Sequence, residues 1–187
     1  IGFGGLRTSE AAGLRVAGLD LPDCGWGTAP PRGALPSPGT LYTNTGETRE
    51  QKGLKHRPDT AVRPVPVPPP LVERLRSHLD RWPTETGLVF SNAAGRSVTP
   101  ENYGKVWNRE KAKLWPEGHR LAGTDPYDLR HTAATAMIRA RVPLPEIGRR
   151  LGHSVDVLLR VYAGVFDDEQ ERSNTAFEAE FKRHGVE

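Results

Sequence analysis

Four short segments, far apart in the chain, carry residue types that suit chemistry on a phosphate group. They are Gly5-Leu6-Arg7-Thr8-Ser9-Glu10, Gly53-Leu54-Lys55-His56-Arg57, Tyr127-Asp128-Leu129-Arg130-His131-Thr132 and Leu151-Gly152-His153-Ser154, the last followed by Tyr162. Arginine binds phosphate oxygens with two parallel hydrogen bonds and keeps its charge. Lysine and histidine can donate protons, and tyrosine can form a covalent bond to phosphorus. These types together suit the transfer of a phosphoryl group through a protein-bound intermediate.

The order and spacing of the four segments resemble the phage integrase family of tyrosine recombinases. That family carries an arginine in a G-x-R-x-S-E context, a hairpin lysine, an H-x-L-R-H-T box, an L-G-H box and then a nucleophilic tyrosine. The 23 residues from Arg130 to His153, and the nine from His153 to Tyr162, are also similar to the family. One box alone is weak evidence, but several boxes in order, from residue 2 to about residue 166, are strong evidence.

The resemblance implies an enzyme that cuts and rejoins DNA through a covalent 3′-phosphotyrosyl intermediate, with Tyr162 as the nucleophile. A covalent link to the phosphate conserves the bond energy for rejoining, so no ATP is needed. A free phenol has a pKa near 10, and only about one in a thousand is ionised at pH 7, a cost of about 4 kcal/mol. Neighbouring guanidinium groups would favour the phenolate. The alternative for Tyr162 is an ordinary aromatic residue of the core or of an interface.

Arg7 and Arg130 are the predicted phosphate clamp. The transition state spreads negative charge over the non-bridging oxygens, and two fixed guanidinium groups can stabilise it without a metal ion. The alternative is that each arginine forms a surface ion pair, for example Arg7 with Glu10 three residues later.

Lys55 is the predicted general acid that protonates the leaving 5′ oxygen, and Lys52 is its rival three residues away. The resemblance to the family's lysine hairpin favours Lys55. His153 is expected to hydrogen-bond a non-bridging oxygen or to orient the site, and the alternative is a histidine that complements the dipole at a helix C-terminus. His131 is expected to support the fold.

Tyr127 departs from the family pattern, which usually has histidine at the first position of this box. A phenol can donate a hydrogen bond to phosphate, but it is a poor general base near neutral pH. The substitution argues against a scheme in which this residue takes the proton from the nucleophile.

Composition narrows the class of protein. The single cysteine, Cys24, forms no internal disulfide, and neither a metal-ligand spacing nor a phosphate-binding loop is present in the sequence, so we expect no metal, nucleotide or other cofactor. No apolar run approaches the roughly 20 residues of a membrane span, and we expect a cytoplasmic, DNA-associated protein. The net charge of +3 divides into −4 over residues 163–187 and +7 over residues 1–162, which suits a polyanionic partner.

The elements that must position these residues are mostly helical. Helices are predicted over residues 8–15, 68–79, 99–114, 128–140, 143–151, 155–164 and 167–183, and strands over residues 16–21, 41–43, 48–54, 62–67 and 88–90. Thr99 followed by Pro100 is a helix start, and Gly152 is a helix end. Residues 22–39, rich in proline and glycine, are predicted to be a loop. We therefore expect an α+β fold, mainly α-helical, with a small antiparallel β-sheet near its N-terminal side.

The resemblance also implies a larger organisation. We expect residues 1–187 to be the catalytic domain, and an N-terminal DNA-clamping domain and the start of the catalytic domain to be missing, because the chain opens on Ile1. Family members act on double-stranded DNA as tetramers that hold two duplexes and exchange a C-terminal segment. Residues 167–184, with Phe177 and Phe181 and preceded by Phe166, fit that segment, and a helix packed on its own domain is the equal alternative.

Two other functions remain open from the sequence. One is a DNA-binding module without catalysis, either a regulator or a decayed integrase of a mobile element. The other is a type IB topoisomerase, which has similar chemistry. The complete set of Arg7, Lys55, Arg130, His153 and Tyr162 argues against a binding module. The L-G-H box and the short chain favour a recombinase over a topoisomerase.

Overall fold

Helices dominate the computed structural model, which describes residues 1–31, 63–166 and 170–185. The elements in chain order are α1 (Thr8–Ala12), a 3₁₀ turn (Val16–Gly18), β1 (Gly27–Thr28), β2 (Pro66–Val67), α2 (Pro69–Arg81), α3 (Pro100–Leu114), α4 (Asp128–Arg139), α5 (Leu144–Leu151), α6 (Val155–Phe166) and α7 (Gln170–Arg183). The chain divides into two compact units, Ile1–Ala134 and Thr135–Glu187. The predicted class, mainly helical with a small antiparallel sheet, is confirmed.

The helix starts follow local sequence signals. Thr99 caps α3 by accepting a hydrogen bond from the backbone N–H of Asn102 at 3.3 Å, and Pro100 occupies the first helical position. Proline also begins α2, which runs to Arg81 rather than to residue 79. Helix α5 ends at Gly152 in a left-handed conformation, as predicted. Because caps are local interactions, these boundaries could be read from the sequence.

The small sheet differs from its prediction. Strands β1 and β2 pair antiparallel, with Gly27 opposite Val67 and Thr28 opposite Pro66. Strand β1 lies inside residues 22–39, which were predicted to be only a loop. Its backbone is held on both sides, since Thr28 and Asp20 exchange two hydrogen bonds of 2.8 and 2.9 Å.

Two predicted strands are wrong. Residues 16–21 begin with the 3₁₀ turn, because the backbone N–H of Leu19 turns back to the carbonyl of Val16 at 2.9 Å. Residues 88–90 form no strand: Leu88 makes a single bridge to Arg15, and Val89 donates to the carbonyl of Leu14 at 2.9 Å. The predicted strands over residues 41–43 and 48–54 lie outside the described residues.

Each unit has apolar residues in its interior. In the first unit the buried cluster contains residues that flank α1 and residues of the sheet region and α2, and its members are Leu6, Leu14, Ala29, Val65, Val67, Val72, Leu75 and Val89. In the second unit α5 lies against α6, where Ile147, Leu151 and Leu158 are fully buried. Burial of this apolar surface stabilises both units.

Helix α7 shows no buried side chain among those that the structure describes. Every side chain described between Gln170 and Arg183 is exposed, and the rings of Phe177 and Phe181 contact each other edge-to-face at 4.6 Å. Across the residues that the structure describes, no helix has both the length and the apolar character of a membrane span.

Candidate active site

Arg7 stands at the start of α1 and is held by the first turn of that helix. Its backbone N–H donates to Oε2 of Glu10 at 2.8 Å, and its Nη1 donates to Oε1 of the same carboxylate at 2.9 Å. The ion pair with Glu10, given above as the alternative for Arg7, is therefore present. It is not a surface pair, because Glu10 is only 1% exposed while the Arg7 side chain keeps 22% of its surface in solvent. The buried Glu10 therefore holds Arg7 in place, while part of the Arg7 side chain stays accessible to solvent.

Glu10 has a second partner that the sequence reasoning missed. Nη2 of Arg63 donates to Oε2 of Glu10 at 2.5 Å, and both side chains are buried. A signal for Arg63 was present, because it lies two residues before Val65 and four before Val67. Side chains at this spacing share one face of a strand, and all three are buried. The sequence therefore places a charge on the core face of this strand, where it requires a partner.

Arg130, in the first turn of α4, is the most buried of the predicted phosphate ligands. It is 1% exposed, and its Nη1 donates to the backbone carbonyl oxygen of Gly5. Burial, followed by the charge of Arg7, lowers the pKa of Arg130 to about 10, so the group stays protonated at pH 7. Arg7 and Arg130 are thus close enough to repel each other within the first unit.

Gly5 allows this contact through its backbone. Its φ of 62° lies in the left-handed region, which glycine adopts without steric cost. The glycine of the G-x-R box therefore directs its carbonyl oxygen at Arg130, the arginine of the L-R-H-T box.

Tyr127 lies just before α4 and is 38% exposed. Its ring contacts the ring of His131 edge-to-face at 5.5 Å between centroids. The turn around it is closed by two carboxylates: Asp125 accepts from the backbone N–H of Tyr127 at 2.6 Å, and Asp128 accepts from that of Asp125 at 2.7 Å. Tyr127 and His131 therefore keep a fixed relation to the helix that carries Arg130.

Helix α3 holds the chain that leads into this turn. The indole Nε1 of Trp107 and the Nζ of Lys111 both donate to the carbonyl oxygen of Thr124, at 2.9 and 2.8 Å. Thr124 in turn donates through its hydroxyl to the carbonyl of Leu121 at 2.8 Å. These contacts fix the entry to α4 from outside the boxes.

His153 follows the end of α5 in the second unit. Its backbone N–H donates to the carbonyl of Gly148 at 3.0 Å. A Cβ at Gly148 would lie 2.8 Å from the carbonyl oxygen of His153, so glycine is required there for a close approach. Ser154 then caps α6 by accepting from the backbone N–H of Val157 at 3.3 Å.

Tyr162 interrupts α6. Its φ of −114° and ψ of 19° are not helical, although the helix continues to Phe166, two residues beyond the predicted end. This region of backbone space is sparsely populated and often holds active-site residues. The side chain is 5% exposed, on the same helix face as Leu158. Burial alone would also suit the alternative of a core aromatic, whereas the break in the helix would not be needed for one.

The predicted site residues are thus distributed over the chain. The first unit holds Arg7, Tyr127 and Arg130, which it brings together, and the second holds His153 and Tyr162. Lys55, its rival Lys52 and the neighbouring His56 lie outside the described residues. Within residues 1–31, 63–166 and 170–185, no three histidine, cysteine or carboxylate side chains come together as a metal site would require.

Comparison with known proteins gives the family of the chain. Residues 3–169 match the family described as the phage integrase family. The chain belongs to the phage integrase family.

Relatives of this family member include tyrosine recombinases from bacteria and archaea. It is 28% identical to a XerC-like tyrosine recombinase of Caldanaerobacter subterraneus over 141 residues, which cover 63% of the chain and 33% of the relative. It is also 28% identical to tyrosine recombinase XerC of Chlorobaculum tepidum over 171 residues, which cover 86% of the chain and 42% of the relative. The chain therefore spans well under half the length of these curated relatives.

Solved structures show the same fold. The integrase of the Tn1549 transposon, in complex with transposon right end DNA, matches with a TM-score of 0.68 and 23% identity over 92% of the chain and 56% of that protein. The XerH site-specific recombinase bound to its difH substrate matches with a TM-score of 0.57 and 24% identity, over 87% of the chain and 40% of that protein. Both structures confirm the fold that we expected for this chain.

Proposed function

We propose that this protein cuts and rejoins double-stranded DNA in site-specific recombination, through a covalent 3′-phosphotyrosyl intermediate. One observation carries the proposal: the arginines of two separate family boxes, Arg7 and Arg130, meet in one cluster with Glu10 and Gly5. Like charges held together in a buried place repel each other, and a bound phosphate would relieve that repulsion. The cluster is therefore suited to a phosphate group.

The two arginines would stabilise the transition state. Arg7 keeps part of its side chain in solvent, and Arg130 stays charged at neutral pH, so both can place a positive charge on a non-bridging oxygen. Fixed donors of this kind need no reorganisation when the charge develops.

Tyr162 would be the nucleophile. It would lose its phenolic proton to water, its oxygen would bond to phosphorus, and the bond from phosphorus to the 5′ oxygen would break. Lys55 would protonate that 5′ oxygen, and His153 would hydrogen-bond a non-bridging oxygen. Tyr127, which is 38% exposed, would donate from its hydroxyl to the same phosphate. Rejoining reverses these steps with a new 5′ hydroxyl, and the cycle uses no cofactor.

Partners and assembly belong to the same proposal. The Tn1549 integrase and XerH are described in complex with DNA, which supports DNA as the substrate here. We assign residues 1–187 to the catalytic domain of an enzyme that acts as a tetramer on two duplexes, in a cytoplasmic, DNA-associated setting. Helix α7, whose described side chains are all exposed and include Phe177 and Phe181, is suited to docking on a neighbouring subunit.

The test is a trapping experiment with a suicide DNA substrate, nicked beside the cleavage site so that the short 5′ product diffuses away. The full-length protein should form an adduct that survives denaturation, and Tyr162→Phe should bind the DNA and form none. An adduct with Tyr162→Phe would show that another residue is the nucleophile. DNA binding by the unmutated protein without any adduct would instead favour the binding module.

A further inference from the structure

Arg63 is a buried cation that the proposed chemistry does not use. It lies just before β2 and is 1% exposed. Its Nη2 donates to Oε2 of Glu10, 53 residues earlier in the chain, at 2.5 Å. A guanidinium group is costly to bury, so its position calls for a reason.

Glu10 is shared between two arginines. Its Oε2 accepts from Arg63 and from the backbone N–H of Arg7, while its Oε1 accepts from Nη1 of Arg7. The cluster of Arg7, Glu10, Arg63 and Arg130 therefore holds three guanidinium groups and one carboxylate, a net charge of +2. If Arg63 were neutral, Glu10 would balance Arg7 alone and the net charge would fall to +1.

We propose that Arg63 is a positioning residue, which neutralises Glu10 so that Glu10 can hold Arg7 in place without cancelling the positive charge that Arg7 offers to the phosphate. This inference deepens the proposed function and rests on it. The carboxylate is needed as an anchor, because it fixes both the backbone and the side chain of Arg7. An anchor with an uncompensated negative charge would oppose the binding of a phosphate. Arg63 balances the negative charge of Glu10 from the buried side of the cluster.

The other reading is that Arg63 and Glu10 form an ion pair that serves only the fold. The two readings differ in one measurable respect, namely whether the effect of Arg63 depends on the charge of the scissile phosphate. A DNA substrate with a methylphosphonate at the cleavage site provides the probe, because a methyl group replaces one non-bridging oxygen and removes the negative charge.

The test compares single-turnover cleavage of phosphate and methylphosphonate suicide substrates. Arg63→Gln removes the charge but keeps a donor for Glu10, and we expect it to slow phosphate cleavage by about 10- to 100-fold, less than the roughly 10²–10³ of losing a direct transition-state donor. Methylphosphonate cleavage should be little changed. Arg7→Ala is the reference and should show the same selectivity. Arg76→Gln, which breaks the exposed pair of Arg76 with Asp23, is the matched control and should alter neither rate.

A double variant tests the charge balance directly. Glu10→Gln combined with Arg63→Gln returns the net charge of the cluster to +2, so phosphate cleavage should be faster than in Arg63→Gln alone, although the weaker anchor on Arg7 keeps it below that of the unmutated protein. Arg63→Lys keeps the charge, but its shorter side chain places it farther from Glu10. It should slow phosphate cleavage by a smaller factor and spare the methylphosphonate. If Arg63→Gln does not fold, the ratio of phosphate to methylphosphonate cleavage rates in Arg63→Lys distinguishes the two readings.

Equal slowing of both substrates by the Arg63 variants, or no slowing at all, would overturn the inference and leave the proposed function intact. Absence of an adduct with the unmutated protein on the phosphate substrate would overturn the proposed function itself. Partial unfolding would slow the cleavage of both substrates by the same factor, so it cannot imitate the expected selectivity for the phosphate.

Discussion

Arg130 donates a hydrogen bond to the backbone carbonyl oxygen of Gly5, which lies 125 residues earlier in the chain. Gly5 in turn stands two residues before Arg7, so one contact joins the two arginine boxes of the family. A backbone acceptor cannot be replaced by a side-chain substitution, although its direction depends on the conformation of Gly5. This relationship can therefore be tested through the glycine.

Gly5→Ala should slow DNA cleavage, because alanine disfavours a φ of 62° and the carbonyl would turn away from Arg130. The free energy of unfolding should fall by about 1 kcal/mol, the usual scale for a non-glycine residue in this region. Gly118→Ala is the matched control, since Gly118 also has a positive φ, of 85°, and is exposed with open space around it. Urea unfolding should show similar losses for both variants, and adduct formation should be slow only for Gly5→Ala. Similar cleavage rates in the two variants would contradict the role of Gly5.

Tyr127 is expected to act as a hydrogen-bond donor and not as a base. Tyr127→His should then remain active, while Tyr127→Phe should cleave about 10- to 1,000-fold more slowly, in line with the loss of one transition-state donor. Tyr103→Phe, on α3 and outside the boxes, is the control and should keep its activity. The measurement is the rate of adduct formation at saturating protein. Full activity of Tyr127→Phe would show that the phenol takes no part.

Lys55 is expected to protonate the leaving 5′ oxygen, with Lys52 as the matched control. Lys55→Ala should slow cleavage by roughly 10² to 10⁴, the usual range for general acid catalysis, with DNA binding retained. Sulfur in place of the bridging 5′ oxygen is a better leaving group that needs no proton, so this substrate should restore the rate of Lys55→Ala. Arg7→Ala should not be restored, because its role is on the non-bridging oxygens.

The same substrate separates the two lysines. Restoration of Lys52→Ala, with Lys55→Ala still slow, would reverse the assignment. If the sulfur substrate restores the rate of neither variant, the general acid is another residue, and His56 and His153 would be examined next.

The ion pairs on α5 should survive moderate acid. Hydrogen bonds from Arg149 and then Arg150 lower the pKa of Glu146 to about 2, from 4.5 for the unperturbed group. Since the folded pKa lies below the unfolded one, the stabilisation is complete above about pH 4.5 and is lost as the pH falls toward 2. NMR titration of the Glu146 carboxyl carbon should give a midpoint near 2, which Arg149→Gln with Arg150→Gln should raise. A midpoint near 4.5 in the unmutated protein would contradict these hydrogen bonds.

Features that depend on neighbouring residues could be predicted from the sequence alone. The order and spacing of the boxes led to the family, since each box needs only a few adjacent residue types. Helices α3 and α5 were predicted nearly to the residue, because Thr99 and Gly152 satisfy or end the backbone hydrogen bonds of their own helices. The first turn of α1 likewise contained the pair of Arg7 and Glu10.

Tertiary structure decided the features that join distant parts of the chain. Strand β1 forms within a segment rich in proline and glycine because β2 and Asp20 supply its hydrogen bonds. These partners are distant or lie outside the strand, so the strand propensity of the segment does not predict them. The break of α6 occurs at Tyr162, where the sequence has neither of the residues that usually break a helix, proline or glycine, so the sequence did not predict it. The pairing of Arg63 with Glu10, and of Arg130 with Gly5, spans 53 and 125 residues. Sequence alone determined which side chains could bind a phosphate, but burial and partners across the fold decided which charges would be balanced, because desolvation and Coulomb energy depend on distances in space.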